Sequence, residues 1–321
     1  MTSKRLLLLI LLTVVVFVGL FSYGDFKDIG GQLSRFPLAY LLAAMGLALI
    51  NYALRFLRWS YYLHFLKIPA PFAVSALVFL AGLAMAITPG KAGELIKSYL
   101  LRDRIGVPVA ESAPVVVMER LTDVISVLLL ALLGLALLPI PVLLVLAVVL
   151  VLITALVALI VTRRGNRIFD LPLIRRWSGG LRTSAEGMRQ LAAPRPMTVA
   201  VILGAGAWFS EGVALWVILE GLEAHVSLLR ALSIYAAATL IGAVSALPGG
   251  LVGTEGSMLA MLQQSGISRG PAAAGTLLVR LVTLWFAVAL GLAALLCLNR
   301  LRPGSIPERN EPDHAALHAQ P

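Results

Sequence analysis

Apolar residues fall in long runs along this chain, with little polar punctuation inside them. The runs cover about 6–23, 38–56, 72–88, 91–101, 111–138, 141–162, 198–219, 229–247, 251–264 and 271–298. Several reach the roughly 20 residues that a helix needs to cross a hydrocarbon core. A helix satisfies its backbone N–H and C=O groups within its own segment, so these runs predict spanning helices. Two runs, 91–101 and 251–264, are too short to span, and each directly follows a Pro-Gly break. The first break reads AITPGKAGELIKSYLL and contains Pro89, Gly90, Lys91, Gly93 and Glu94. The second reads ALPGGLVGTEGSMLAML and contains Pro248, Gly249, Gly250, Gly253 and Glu255.

A shift of 160 residues brings the two regions into register. Gly93 falls on Gly253, Gly106 on Gly266 and Arg120 on Arg280. The chain therefore divides into a first repeat over about 37–137 and a second over about 197–297. Paired interruptions at corresponding points of two halves point to a transport site near the membrane midplane.

Two topologies fit each break. Either 72–88 spans and the short run lies beyond it, or 72–101 is a re-entrant hairpin that enters and leaves on one face. The charges favour the hairpin. With the N-terminus inside, the cytoplasmic segments (the N-terminus, 55–67, 97–104, 163–195 and 300 onward) hold 19 of the 26 Lys and Arg residues. The spanning alternative places the eight arginines of 163–195 outside, against the positive-inside bias. The expected architecture is an all-α polytopic membrane protein with about six full spans and two re-entrant helical hairpins, roughly eight segments by hydropathy. The two repeats are expected to be inverted, with both termini cytoplasmic and the protein in the inner (cytoplasmic) cell membrane.

Composition agrees. The 321 residues are 60% hydrophobic and 13% charged, about half the charge of a soluble domain. Mean hydropathy is +0.94. The membrane domain is expected to fill 1–301, leaving 302–321 as a disordered polar tail. The apolar run after Lys4 and Arg5 mimics a secretory leader, but its length and the lack of a small-x-small cleavage site predict a retained first helix. The net charge of +10 reads as loop lysine and arginine set against anionic lipid at the cytoplasmic face, not as a nucleic-acid surface. A single cysteine, Cys297, excludes an intramolecular disulfide and a cysteine metal cage. No cofactor or metal is expected.

The basic segment 163–197 carries Ile174, Trp177, Leu181, Met188 and Leu191 at helical spacing, with Arg175, Arg176, Arg182 and Arg189 between them. This predicts an interfacial strap on anionic lipid; the alternative is a docking surface for a cytoplasmic partner. Arg55 and Arg58, near the end of the second run, are expected to snorkel to head groups. Trp59, Tyr61 and Tyr62 would complete an interfacial belt there.

Chemistry concentrates where charge sits at depth. An ionised side chain at a helix centre costs roughly 2.5–3.5 kcal/mol on insertion scales, so it needs a partner, a cavity or a task. Glu94 follows the first break, whose half-helix N-terminus, with Lys91, suits a phosphate or carboxylate. The alternative there is a plain kink with Lys91 held by Glu94. Glu119, Arg120 and Asp123 share one helix face at i, i+3 and i, i+4 spacings. Arg120 can also reach Glu94 across the hairpin. Arg280 has no acid on its own helix, so Glu255 or Glu211 is its natural partner. These pairs read either as helix locks or as a site for a phosphate-bearing substrate, which arginine grips bidentately. No P-loop, H-E-x-x-H or G-x-S-x-G pattern is present.

The stretches PGKAGE (Pro89 to Glu94), ERLTD (Glu119 to Asp123) and PGGLVGTE (Pro248 to Glu255), with Arg280, resemble the membrane region of the lysylphosphatidylglycerol synthase/flippase family. The resemblance spans about 6–298. It implies a lipid translocase with no aminoacyl-transferase domain, and so no enzyme, because the chain ends about 20 residues after its last apolar run. The substrate-binding set expected on this basis is Pro89, Gly90, Lys91, Gly93, Glu94, Glu119, Arg120, Asp123, Glu211, Pro248, Gly249, Gly250, Gly253, Glu255 and Arg280. The lipid would be phosphate-bearing, with an aminoacylated or polyprenyl-linked form among the possibilities. Two alternatives stand beside it. One is an accessory protein that presents a polyprenyl phosphate to a glycosyltransferase without flipping it; the other is a membrane enzyme acting on lipid phosphates.

Overall fold

The computed structural model describes residues 26–88, 93–162, 178–245 and 247–300. The expected first helix at 6–23, the break residues Pro89, Gly90 and Lys91, the first part of the basic segment (163–177) and the C-terminal tail lie outside the described residues. Within them the chain is helical throughout. In order come α1 (Phe26–Arg35), α2 (Leu38–Phe65), α3 (Phe72–Leu83) with a 3-10 turn at Ala84–Ile87, α4 (Ile96–Ile105), α5 (Val109–Leu133) and α6 (Ile140–Val161). There follow α7 (Ser178–Leu191), α8 (Pro194–Gly221), α9 (Leu228–Val244), a 3-10 turn at Pro248–Gly250, α10 (Gly253–Gln264), α11 (Arg269–Arg280) and α12 (Phe286–Arg300). A π-helical segment, Leu281–Trp285, joins α11 to α12.

Local chemistry sets the boundaries. Pro37, Pro71, Pro108 and Pro139 precede α2, α3, α5 and α6, where a fixed φ and a missing N–H cost nothing. Gly106 (φ 74°) and Gly266 (φ 89°) end α4 and α10 in the left-handed conformation that glycine adopts freely. Among the described residues, four helices are long and apolar enough to cross a membrane: Leu38–Phe65, Ile140–Ile160, Pro194–Gly221 and Arg269–Arg300. α5 is also 25 residues long, but it carries the Glu119, Arg120 and Asp123 charges.

The element order of the first half recurs in the second. Each half has a long helix (α2, α8), a shorter apolar helix (α3, α9), a break, a short helix (α4, α10), a left-handed glycine and a second long helix (α5, then α11–α12). Packing between the halves is reciprocal. α2 lies along α8, α3 packs on α12, α9 packs on α5, and the turns at Ala84–Ile87 and Pro248–Gly250 meet. One packing relation recurs after both breaks. A Cβ on Gly93 would press on Met85, and one on Gly253 would press on Ser245, 160 residues further along. Small residues permit these approaches, as expected where helices associate by close packing. At Gly291 a Cβ would overlap the backbone nitrogen of Ala84.

Three expectations are corrected. Arg55 and Arg58 do not snorkel: they are 5% and 0% exposed, because α2 turns this flank toward α5 and α8. Trp59 and Tyr62 are buried with them, and Trp59 Nε1 donates to Ser75 Oγ at 3.0 Å, so they form no interfacial belt. Lys97, counted above as a cytoplasmic charge, is 1% exposed. The described part of the basic segment, α7, also packs on α5. Ser184 Oγ donates to Ala110 O at 2.8 Å, Gly187 abuts Pro114, and Ala185 and Leu191 are buried.

Candidate functional site

The charged residues of the first half form one buried network. α4 brings Lys97 to Glu119 on α5 at 2.5 Å and to Glu94, before its own first turn, at 3.4 Å. Glu94 also meets Arg120 Nη2 at 3.2 Å and Arg55 Nη2 at 3.7 Å. Arg120 Nη2 stands 2.9 Å from Asp123 Oδ2, the i, i+3 contact anticipated from sequence. From α2, Arg58 donates to Asp123 Oδ1 at 2.6 Å and to Thr122 Oγ1 at 3.2 Å. Trp208 Nε1 on α8 donates to the same Asp123 oxygen at 3.1 Å. The Lys97 ammonium also sits 4.7 Å from the centre of the Trp59 ring. Low dielectric strengthens these attractions, and mutual pairing offsets the cost of removing the charges from water.

The second half is simpler. Arg280 Nε donates to Glu255 Oε1 at 2.6 Å, and its Nη2 donates to the Gly249 carbonyl at 2.6 Å. This arginine thus ties the end of α11 both to the first turn of α10 and to the break before it. The break is strained. Gly249 and Gly250 have φ of 63° and 67°, and Val252, a β-branched residue, holds φ 71° and ψ −53°. A β-branched residue in that region is a genuine outlier, and such strain gathers at functional sites. In the first break the Gly93 N–H donates to Thr88 Oγ1 at 2.9 Å, which caps the turn entering α4. Glu211 on α8 does not take Arg280 in a described bond; it accepts from the Tyr235 hydroxyl at 2.5 Å.

A cavity of about 290 Å³ lies between the two halves. Arg55, Arg120, Asp123, Glu211 and Arg280 line it, together with Gly249 and Gly250 of the second break. Tyr52, Trp208 and Tyr235 form aromatic wall, and the rest is largely apolar, including Val124, Val127, Leu240, Ala243, Leu247 and Leu284. Of the lining residues, Ala243 and Leu247 are exposed, while Thr88 and Val124 are half-buried. The cavity's most exposed lining residues, Ala243 and Leu247, are thus apolar, while Arg55, Asp123, Glu211 and Arg280 are buried. Three arginines against two carboxylates leave its described lining with one excess positive charge.

Among the sequence-predicted site residues, Arg120, Asp123, Glu211, Gly249, Gly250 and Arg280 reach this cavity. Glu94 stands behind Arg120 and Glu255 behind Arg280 as buried counter-ions, while Glu119 pairs with Lys97. Gly93, Pro248 and Gly253 shape the breaks without lining the cavity; Pro89, Gly90 and Lys91 fall outside the described residues. Sequence reasoning missed Arg55, Tyr52, Trp208 and Tyr235. The available signal was spacing: Arg55 lies one helical turn from Asn51, which is fully buried and bonded to Ala207 O at 2.8 Å. That shared stripe faces the partner helix. No cluster of His, Cys, Asp or Glu suited to a metal ion occurs among the described residues.

Comparison with known proteins bears on this arrangement. A family model described as "Lysylphosphatidylglycerol synthase TM region" matches residues 6–291. A UPF0104 membrane protein of Methanothermobacter thermautotrophicus is 34% identical over 88 residues, which cover 27% of this chain and 26% of the relative. The match thus spans about a quarter of that relative's length.

Proposed function

From the premise that this chain belongs to the lysylphosphatidylglycerol synthase transmembrane-region family, an assignment its match over 6–291 establishes, we propose that it is a lipid translocase. The observation that carries this reading is the cavity with arginines from equivalent positions of the two halves, Arg120 and Arg280, at its interior and apolar residues at its rim. A phosphate head group fits the interior, because arginine N–H groups match phosphate oxygens. An acyl or prenyl chain fits a rim of Val124, Ala243 and Leu247, since apolar rim groups offer a tail nothing to desolvate. A water-soluble anion would gain nothing from that rim.

Reciprocal packing of α3 on α12 and α9 on α5 supports an inverted-repeat carrier, in which rocking of one half against the other exposes a fixed site alternately. The protein acts as a carrier rather than an enzyme. It lies in the cell membrane with both termini cytoplasmic and its basic segments against anionic lipid. The carboxylates Glu94, Asp123, Glu211 and Glu255 balance the arginines while the site is empty.

The test is lipid movement by purified protein in liposomes. Labelled phosphatidylglycerol, an aminoacylated phosphatidylglycerol and a short polyprenyl phosphate are offered, with Arg120→Ala/Arg280→Ala as control. Movement of one lipid, lost in a control that still folds, is the expected result. Folded protein that binds but moves none of them would favour the accessory role, in which a polyprenyl phosphate is presented to a glycosyltransferase.

A further inference from the structure

Arg55 presents an anomaly that the ion network does not account for. Its side chain is 6% exposed and it lines the cavity, yet Nε and Nη2 are both buried without a hydrogen-bond acceptor. Its contact with Glu94 Oε1, at 3.7 Å, is too long to be a hydrogen bond. Arg120 beside it has the same deficit. Its Nη2 lies within ion-pair distance of Glu94 and Asp123, but those contacts are oblique, and Nε and Nη2 have no aligned acceptor. The other buried cations each donate at least one hydrogen bond, with Arg58 leaving its Nε unbonded. Arg58 donates to Thr122 and Asp123, Lys97 donates to Glu119, and Arg280 donates to Glu255 and Gly249. Buried polar groups in native proteins are almost always hydrogen-bonded, and an exception calls for a missing partner. Two adjacent guanidiniums facing one cavity, each with N–H groups unused, call for an acceptor with several oxygens.

We propose that Arg55 is a direct ligand of the transported anion: its guanidinium and that of Arg120 clasp one phosphate group on the first-half side of the cavity, while Arg280 holds the second break. The site is then asymmetric despite the repeat. The position 160 residues after Arg55 is Leu215, which is fully buried and apolar, so the second half has no equivalent ligand. Arg280 has committed two of its nitrogens to Glu255 and Gly249, which suits it to keep the break closed over the head group. The inference rests on the translocase reading and adds which arginines touch the phosphate.

The experiment is calorimetric titration of the full-length protein in detergent with two probes, dioctanoyl phosphatidic acid and inorganic phosphate. Wild type is compared with Arg55→Gln, Arg55→Lys, Arg120→Gln and Arg280→Gln, each checked by thermal unfolding. Glu94 keeps Arg120 and Lys97 when Arg55 is neutralised, so Arg55→Gln is expected to fold. Loss of a charged hydrogen-bond donor should weaken lipid-phosphate binding about tenfold or more. Its thermal midpoint should fall less than that of Arg280→Gln, because Arg55 donates no hydrogen bond to its acid neighbours. Arg55→Lys keeps the charge without the planar fork and should fall between; it carries the comparison if Arg55→Gln fails to fold. Arg280→Gln should lower the midpoint more. Folded Arg55 variants that bind like wild type, while Arg120→Gln does not, would overturn the role of Arg55 and leave the translocase reading standing. Inorganic phosphate bound as tightly as the lipid, and weakened by Arg55→Gln, would support the anion site and remove the lipid reading. Binding of neither probe by folded wild type would overturn both.

Discussion

Arg280 and Glu255, 25 residues apart and on different helices, are joined at 2.6 Å with both side chains buried. The same guanidinium reaches the Gly249 carbonyl, so one residue links the end of α11, the first turn of α10 and the strained backbone between α9 and α10. In the first half the equivalent arginine, Arg120, faces two acids and leaves its own nitrogens poorly aligned. Equivalent positions have thus taken different tasks.

Removing one member of the second-half pair should be costly. Glu255→Gln or Arg280→Ala leaves a buried charge without its partner, a loss of about 3–5 kcal/mol. Thermal unfolding in detergent reads this directly. Replacing both with apolar residues should recover much of the stability; a double variant as unstable as the worse single one would show that the pair is not the determining contact.

The Lys97–Glu119 contact should behave in the same way. Lys97→Met leaves Glu119 buried and fully desolvated, with an expected loss of about 3–5 kcal/mol. Adding Glu119→Leu should return most of it. A double-mutant cycle measures the coupling, and additive losses would count against the pairing.

Gly291 should not tolerate a methyl group. Its Cβ would overlap the Ala84 backbone, which has no flexible end to move aside, so Gly291→Ala should separate α12 from the first break at a cost of about 1–3 kcal/mol or more. Gly46 on α2 has nothing within 4 Å of a built Cβ, and Gly46→Ala should stabilise by up to about 1 kcal/mol. Opposite shifts in unfolding midpoint are the expected pattern.

Closing the rim should stop lipid movement without unfolding the protein. Ala243 is exposed at the mouth, so Ala243→Trp has room to fold while filling the apolar exit. Transport in liposomes should drop at least about tenfold, a barrier change near 1.4 kcal/mol, with an unchanged unfolding midpoint. Undiminished transport would place the tail elsewhere.

Much of this architecture was legible in one dimension. Apolar run length gave the long helices, prolines and glycines marked their ends, and charges within apolar runs identified Glu94, Glu119, Asp123, Glu255 and Arg280 as buried. The i, i+3 contact of Arg120 with Asp123 follows from helix geometry alone. These properties are local: they depend on the residue and its near neighbours in sequence.

Partnership between distant residues was decided by tertiary structure. Arg55 and Arg58 sit near the end of an apolar run, where a snorkelling arginine and a buried one look alike; only the packing of α2 against α8 and α5 determines which flank meets protein. Arg58 and Asp123 are 65 residues apart, and Tyr235 finds Glu211 across two helices. Where charge had to be answered was legible along the chain, because an ion in an apolar helix needs a partner. Which ion answered which depended on helix rotation and crossing, which are settled by the summed packing of many side chains and have no local signature.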